Sequence, residues 1–320
     1  MYRIGVDLGG TNIAVGIVDE SYKILVKGSV PTMAQRAPEL IVDDMAALCR
    51  KLVKDAKLIL KDIISVGIAA PGSVDPETGY VEYANNIPFT HFPVCSLLSE
   101  RLDGLKVFVE NDANAAAWGE AICGAAKGAK DSVMITLGTG VGGGIIIGGK
   151  LYSGFNYAGG ELGHIGIVVD GKPCSCGRKG CWEAYSSATA LIRMTEEKLA
   201  EYDKAGKKTV MTDMKAAKGR VTGRTAFDAM RQGDKAGEEV VREYVHYLAY
   251  GITNLINIFQ PEVLSIGGGI SGEGQKLIDM IEPDINAEQY GSEHHDKKTR
   301  IEIAKLGNDA GIVGAAVLGM

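Results

Sequence analysis

The sequence lacks the clustered Lys and Arg that a nucleic-acid partner would require. Its 34 basic residues are outnumbered by 40 acidic ones, for a net charge of −6, and neutralising a phosphate backbone takes concentrated positive charge. Apolar runs of membrane-spanning length are also missing, because Gly or a charged residue interrupts each one well short of about 20 residues. No signal peptide precedes the strand-like run that begins at Arg3, so a cytoplasmic location is expected. A Gly-Lys-Ser/Thr sequence is absent, which excludes a P-loop. Cysteines are few and unevenly placed. Cys49, Cys95 and Cys123 are scattered, whereas Cys174, Cys176 and Cys181 lie within eight residues. A disulfide framework does not suit a cytosolic chain of this size, and the clustering points to a metal. The scattered thiols have no nearby base in sequence and read as inert core residues.

Glycine is what the sequence has in excess, with 43 among 320 residues. The glycines concentrate around residues 138–180 and 267–274, with a smaller group at Gly9 and Gly10. Such clusters in an otherwise ordinary chain suggest turns that approach a ligand closely. The length suggests two domains. Strand-like runs at 3–8, 12–19, 63–69, 105–109, 132–147, 262–266 and 300–306 alternate with helical periodicity at 38–57, 113–126, 186–202, 236–258 and 310–318. That alternation predicts an α/β fold. Residues 203–224 are rich in Lys and Gly and read as an exposed connection. Both halves of the chain open with a strand, a Gly/Thr turn and a returning strand, the pattern of an internal duplication.

Gly138-Thr139-Gly140-Val141-Gly142-Gly143 matches the dinucleotide fingerprint by letter. That fingerprint needs a following helix to hold the pyrophosphate, and Gly144-Ile145-Ile146-Ile147 is strand-like instead. What remains is a hairpin whose backbone N–H groups and Thr139 hydroxyl can cradle phosphate. Asp7-Leu8-Gly9-Gly10-Thr11-Asn12 has the same character, with a carboxylate added. An acidic residue beside a phosphate turn makes sense with a cation, and Mg²⁺ is the natural choice. Glu110-Asn111-Asp112 sits where a strand gives way to a helix. These side chains can cap the helix, or Asp112 can be a general base at the end of a strand, where α/β sheets place their ligands.

Cys174, Cys176 and Cys181, with His164 upstream, form a Cys₃His set, a standard tetrahedral zinc arrangement. Four protein ligands close the coordination sphere, so the metal is expected to be structural. Glu183 is not needed as a ligand and is available to a substrate. His246 reads as a helix residue in a packed or dimer-facing stripe, and His294 and His295 as solvated.

Together these blocks resemble the ROK family (repressors, open reading frames and kinases), and most closely its glucose-phosphorylating members. The match runs essentially end to end. It rests on Asp7 to Asn12, on the block from Leu137 through Gly163-His164, and on Cys174-x-Cys176-Gly177-x-x-Gly180-Cys181-x-Glu183. The resemblance implies an actin-like ATPase (ribonuclease H-like) fold, two α/β domains with a cleft between them. The expected division is 1–112 plus 308–320 for the smaller domain and 113–307 for the larger. It implies phosphorylation of glucose by ATP with Mg²⁺, with Asp112 as the catalytic base. Sugar-binding positions fall on Gly72, Asn86, Asn111, Asp112, Glu161, His164 and Glu183. Nucleotide-binding positions fall on Asp7, Gly9, Gly10, Thr11, Asn12, Gly138, Thr139, Gly140, Gly267, Gly268 and Gly269. A homodimer, or a tetramer, is also implied. Some relatives phosphorylate N-acetylmannosamine, N-acetylglucosamine, allose, mannose or fructose, and some use ADP or polyphosphate as donor. The family's repressors carry a helix-turn-helix domain before the first phosphate strand, and here that strand begins at residue 3.

Overall fold

The computed structural model describes residues 1–320. In chain order the first elements are β1 (Tyr2–Leu8), β2 (Asn12–Val18), β3 (Ile24–Pro31), α1 (Pro38–Asp55), β4 (Ile63–Ala70), β5 (Ser73–Asp75), β6 (Tyr80–Tyr83), β7 (Thr90–Phe92), α2 (Val94–Arg101), β8 (Lys106–Asn111) and α3 (Asp112–Cys123). There follow β9 (Ser132–Leu137), β10 (Val141–Ile147), β11 (Lys150–Tyr152), α4 (Glu183–Ser186), α5 (Ala188–Lys204), α6 (Val210–Lys218), α7 (Thr225–Arg231), α8 (Lys235–Phe259), β12 (Val263–Gly267), α9 (Gln275–Glu288), β13 (Arg300–Ile303) and α10 (Ala310–Ala316). No helix is long and apolar enough to cross a membrane.

Contacts divide the chain into two compact units. The first comprises residues 1–134, 144–160 and 304–320, and the second residues 135–143 and 161–303. The sequence expectation drew the boundary at residue 112, whereas the contacts keep α3 with the first unit. The reason is packing against α10. A Cβ on Gly314 would lie 1.9 Å from the Ala115 carbonyl oxygen, so only a glycine lets these helices approach so closely.

The first unit is built on a five-stranded sheet of order β3-β2-β1-β4-β8. β1 runs antiparallel to β2 and parallel to β4, which runs parallel to β8. β4 is a nearly continuous buried run and β1 is buried from Ile4 to Val6, as strands covered on both faces must be. Helix α1 starts at Pro38, whose missing N–H costs nothing in the first turn. It buries Ile41, Met45, Leu48 and Leu52 at helical spacing against this sheet's core. On α10, the Ala315 carbonyl lies where a Cβ on Gly67 of β4 would stand, 1.7 Å away, which seats the helix directly on the strand.

A second five-stranded sheet has the order β11-β10-β9-β12-β13. Both sheets thus run from a hairpin edge to the opening strand and then to later strands, as the expected duplication implies. The core of the second unit gathers Leu191, Tyr244, Leu248, Ile252, Leu255, Leu264 and Ile266, all essentially inaccessible. Its central helix α8 is capped by Asp234, whose side chain accepts the Gly237 N–H at 2.8 Å. The stretch 203–224 is more structured than its composition implies. It contains α6, capped by the Thr209 hydroxyl, which accepts the Met211 N–H at 3.2 Å, with Met211 fully buried.

Candidate active site

The candidate residues fall into two clusters, one in each unit. In the first unit, Asp7 closes β1 between Ala14 and Ala69 of the neighbouring strands. The turn after it is tight: Gly9 N–H donates to the Asn12 carbonyl at 2.9 Å. Thr32, at the end of β3, braces the turn by donating its hydroxyl to the Gly9 carbonyl at 2.6 Å. Gly10 faces Asn86, and a Cβ there would lie 3.0 Å from the Asn86 amide nitrogen. The Asp7 carboxyl is partly withdrawn from water and also feels the charge of Asp112. Burial first, and Asp112 second, push its pKa up to about 6. A carboxyl withdrawn from water and facing the charge of a second carboxylate is a setting that a dication would relieve.

Asn111 and Asp112 mark the passage from β8 into α3. Asn111 is the N-cap, and its side-chain oxygen accepts the N–H groups of Ala113 at 3.0 Å and Asn114 at 3.2 Å. Its amide nitrogen donates to the Gly72 carbonyl at 3.0 Å. Capping is therefore carried by Asn111, one residue before the proposed base. Asp112, in the first helical turn, is exposed and accepts the Ala113 N–H at 2.7 Å. Gly72 has φ 90°, a conformation that favours glycine, and a Cβ on it would meet the Tyr83 carbonyl oxygen at 2.0 Å. Asp7, Gly10, Gly72, Asn86, Asn111 and Asp112, scattered over a hundred residues of sequence, are thus linked through these contacts.

In the second unit, Gly138 N–H donates to the Gly140 carbonyl at 3.0 Å, closing the turn after β9. The start of α5 is tied to the same turn. Ala188 N–H donates to the Gly138 carbonyl at 2.8 Å, and the Thr189 hydroxyl to the Thr139 carbonyl at 2.7 Å. The end of β12 lies beside it. Gly268 has φ 82°, and a Cβ there would come within 2.6 Å of the Leu137 backbone. The Gly138–Gly140 turn and the Gly267–Gly269 run, more than a hundred residues apart, are therefore neighbours.

His164 and the three clustered cysteines also converge. Their ligand atoms all lie within 4.8 Å of one another. Cys174 Sγ is 3.7 Å from His164 Nδ1, and Cys176 Sγ is 3.6 Å from Cys181 Sγ. A tetrahedral zinc with Zn–S bonds of about 2.3 Å separates its sulfurs by about 3.8 Å, so this donor set fits the metal. The cluster stands on a knuckle closed by bridges between Gly166 and Cys181 and between Pro173 and Lys179. Trp182 anchors the knuckle. Fully buried, it donates its indole N–H to the Tyr247 carbonyl of α8 at 3.0 Å and lies flush against Gly251.

Glu183 joins the knuckle to the turn at Gly138–Gly140. One carboxylate oxygen accepts the Val141 N–H at 3.0 Å, and the other accepts the Ser175 hydroxyl at 3.1 Å. Glu161 is exposed, and its main-chain oxygen accepts the His164 N–H at 3.0 Å. Of the remaining candidates, His246 is exposed and pairs with Asp284 at 3.1 Å, and His294 and His295 are exposed. The Cys49 and Cys95 thiols are pushed up to about 12 and that of Cys123 to about 11, chiefly by burial, as inert thiols should be.

The bracing roles of Thr32, Ser175 and Trp182 were not read from sequence. Trp182 carries a signal in the sequence, a lone large aromatic directly after Cys181, the last of the clustered cysteines. Thr32 lies in no motif, and only the strand register brings it to Gly9.

These two clusters, each built on a glycine turn at the end of a strand, belong to a protein of the actin-like ATPase fold. A family model described as the ROK family matches residues 3–320, and the chain belongs to that family. It is 40% identical to a glucokinase of Streptomyces coelicolor over 316 residues, 98% of this chain and 96% of that protein. Identity to a glucokinase of Halalkalibacterium halodurans is 37% over 318 residues, 99% of this chain and 94% of that protein. Among solved structures, a ROK family glucokinase from Streptomyces griseus in complex with glucose and AMPPNP superposes with a TM-score of 0.80 at 39% identity, covering 99% of each chain.

Proposed function

We propose that this chain transfers the γ-phosphate of ATP to the 6-hydroxyl of glucose, with Asp112 as the general base. The observation that carries this reading is the placement of Asp112. It stands at the C-terminal end of a parallel strand, electrostatically coupled to Asp7 beside the first glycine turn. Phosphoryl transfer asks a protein for positioning, for charge stabilisation and for one acceptor of the hydroxyl proton. Asp112 takes that proton as the sugar oxygen attacks the phosphorus. The residues proposed for the ring hydroxyls are Asn86 and Asn111 in the first unit, with Gly72 beside Asn111, and Glu161 and Glu183 in the second. Backbone N–H groups of Gly9, Gly10, Gly138 and Gly140, with the Thr11, Asn12 and Thr139 side chains, hold the phosphates. Gly267, Gly268 and Gly269 take the adenosine side. Mg²⁺, held through Asp7, supplies positive charge at the phosphates when bound.

His164, Cys174, Cys176 and Cys181 would hold a structural Zn²⁺, which would give the loop running from Glu161 to Glu183 a rigid support. With Nδ1 turned to the cysteines, the other His164 nitrogen would carry the proton and donate a hydrogen bond to a sugar hydroxyl or to a pocket carboxylate such as Glu161. The names of the relatives support glucose and ATP as the substrates. A coupled assay over a panel of hexoses and phosphate donors tests this reading. Glucose with ATP should give the highest kcat/KM, and faster phosphorylation of N-acetylmannosamine would refute the named substrate.

A cytoplasmic homodimer completes the proposal. Helix α8 buries Val241, Tyr244, Leu248 and Ile252 inside its own unit yet leaves Tyr250 and Ile258 exposed. Exposed apolar side chains on a helix otherwise seated in the core suit contact with a second copy. Light scattering at micromolar concentration should return twice the chain mass, and a monomer would end this part of the reading.

A further inference from the structure

Glu110 is a carboxylate with no place in the reaction as set out above, yet it is 5% exposed at the end of β8. Burial raises its pKa, while hydrogen bonds from Asn114 and Asn111 work in the opposite direction. The hydrogen bonds are specific. One oxygen, Oε1, accepts both the Asn111 N–H at 2.8 Å and the Asn114 side-chain amide at 3.0 Å. Asn114 is itself 3% exposed, and its own N–H donates to the Asn111 side chain at 3.2 Å. Glu110, Asn111 and Asn114 thereby close a triangle around the peptide that leads into Asp112. Asn111 extends it to Gly72 at 3.0 Å.

We infer that Glu110 is a positioning residue that holds Asn111 and Asp112 in their reactive placement. The physical reason lies in what its oxygen holds. Asn111 is the last residue before the helix, and its backbone direction sets where the first-turn Asp112 carboxylate points. Fixing the Asn111 N–H to Glu110 fixes that direction. Anchoring the Asn114 amide to the same oxygen fixes the helix turn that follows. Without the acceptor, the buried Asn114 amide and the half-buried Asn111 N–H both lose their partner and the turn must move to find another. A displacement of about 1 Å at a catalytic group can cost about 100-fold in rate.

This inference rests on the kinase reading above, and its test separates the two. Glu110→Met keeps the side-chain volume and the packing against Asn111 and Asn114 but removes the acceptor. Glu110→Gln keeps an acceptor oxygen in place. In the glucose–ATP assay, Glu110→Met should retain a melting temperature within a few degrees of wild type while kcat falls by about 10–100-fold. KM for glucose should rise and KM for ATP should stay within about twofold, because only the sugar side of the site moves. Glu110→Gln should recover kcat to within about threefold of wild type. A folded Glu110→Met enzyme with more than half the wild-type kcat, or a Glu110→Gln enzyme as slow as Glu110→Met, overturns the inference. Should Glu110→Met fail to fold, Asn114→Ala removes one donor to the same oxygen and should lower kcat by about 3–10-fold with KM for ATP unchanged. Wild-type kcat in that variant also overturns it. A wild-type enzyme that does not phosphorylate glucose overturns the kinase reading and this inference with it.

Discussion

The Glu183 carboxylate accepts the N–H of Val141, so the loop that carries the Cys₃His cluster and the turn that would cradle phosphate share one side chain. From sequence alone Glu183 is a free carboxylate available to a sugar. In the structure it is also a strut. Glu183→Ala should therefore raise KM for glucose, and KM for ATP as well, by several-fold each. Steady-state kinetics with each substrate varied in turn would check this. An unchanged KM for ATP would mean that the Val141 hydrogen bond does not support the turn.

The Cys₃His cluster predicts one zinc per chain in protein purified without added metal. Cys176→Ser should lose most of that zinc and melt at a lower temperature, since metal binding to such a site contributes directly to folding. Metal analysis together with a thermal melt provides the measurement. Full zinc content with unchanged melting in the variant would argue against Cys176 as a ligand.

Gly251→Ala would place a methyl carbon 2.0 Å from the Trp182 indole. Overpacking of this kind costs about 1–3 kcal/mol. Because Trp182 anchors the knuckle, the variant should also release zinc to a chelator faster than wild type. Wild-type stability would show that α8 and the knuckle can separate without loss.

Asp7 makes stability depend on pH in a definite direction. Its pKa is raised from 3.8 to about 6 in the fold. The folded state therefore holds a proton that the unfolded state has lost between those values. The stability this contributes is fully present below about pH 4 and is lost as pH rises through about 6. Asp7→Asn should remove that component. In the absence of nucleotide, the variant's melting temperature should fall less than wild type's between pH 4 and 6.5. The same variant should bind Mg²⁺–ATP more weakly at pH 7.5. Identical pH profiles for the two proteins would contradict the burial of Asp7.

Much of this architecture was legible in the sequence because glycine turns and a cysteine knuckle are local features. Asp7 to Asn12, Gly138 to Gly140 and Cys174 to Cys181 are each contiguous, so the spacing carries the chemistry. The first sheet was read less completely. β3 is hidden in the sequence because its exposure alternates and Lys27, Gly28 and Ser29 interrupt its apolar run. α9 is hidden because Pro283 lies inside it and its apolar face is short. The bracing of Gly9 by Thr32, and of the Asp112 turn by Glu110, depends on strand register and on which side of a helix turn a side chain falls. Neither quantity is written in a window of residues. The placement of α3 in the first unit depends on Gly314 meeting Ala115, two positions nearly two hundred residues apart.

The central claim is that Asp112 accepts a proton from the sugar. Asp112→Asn preserves size and most hydrogen bonding but removes the base. General-base catalysis is worth about 10²–10⁴ in rate. Measured in the glucose–ATP assay, kcat of Asp112→Asn should fall by that factor while glucose binding, read by calorimetry or fluorescence, stays within a few-fold of wild type. A variant that keeps a tenth or more of the wild-type kcat would contradict the account.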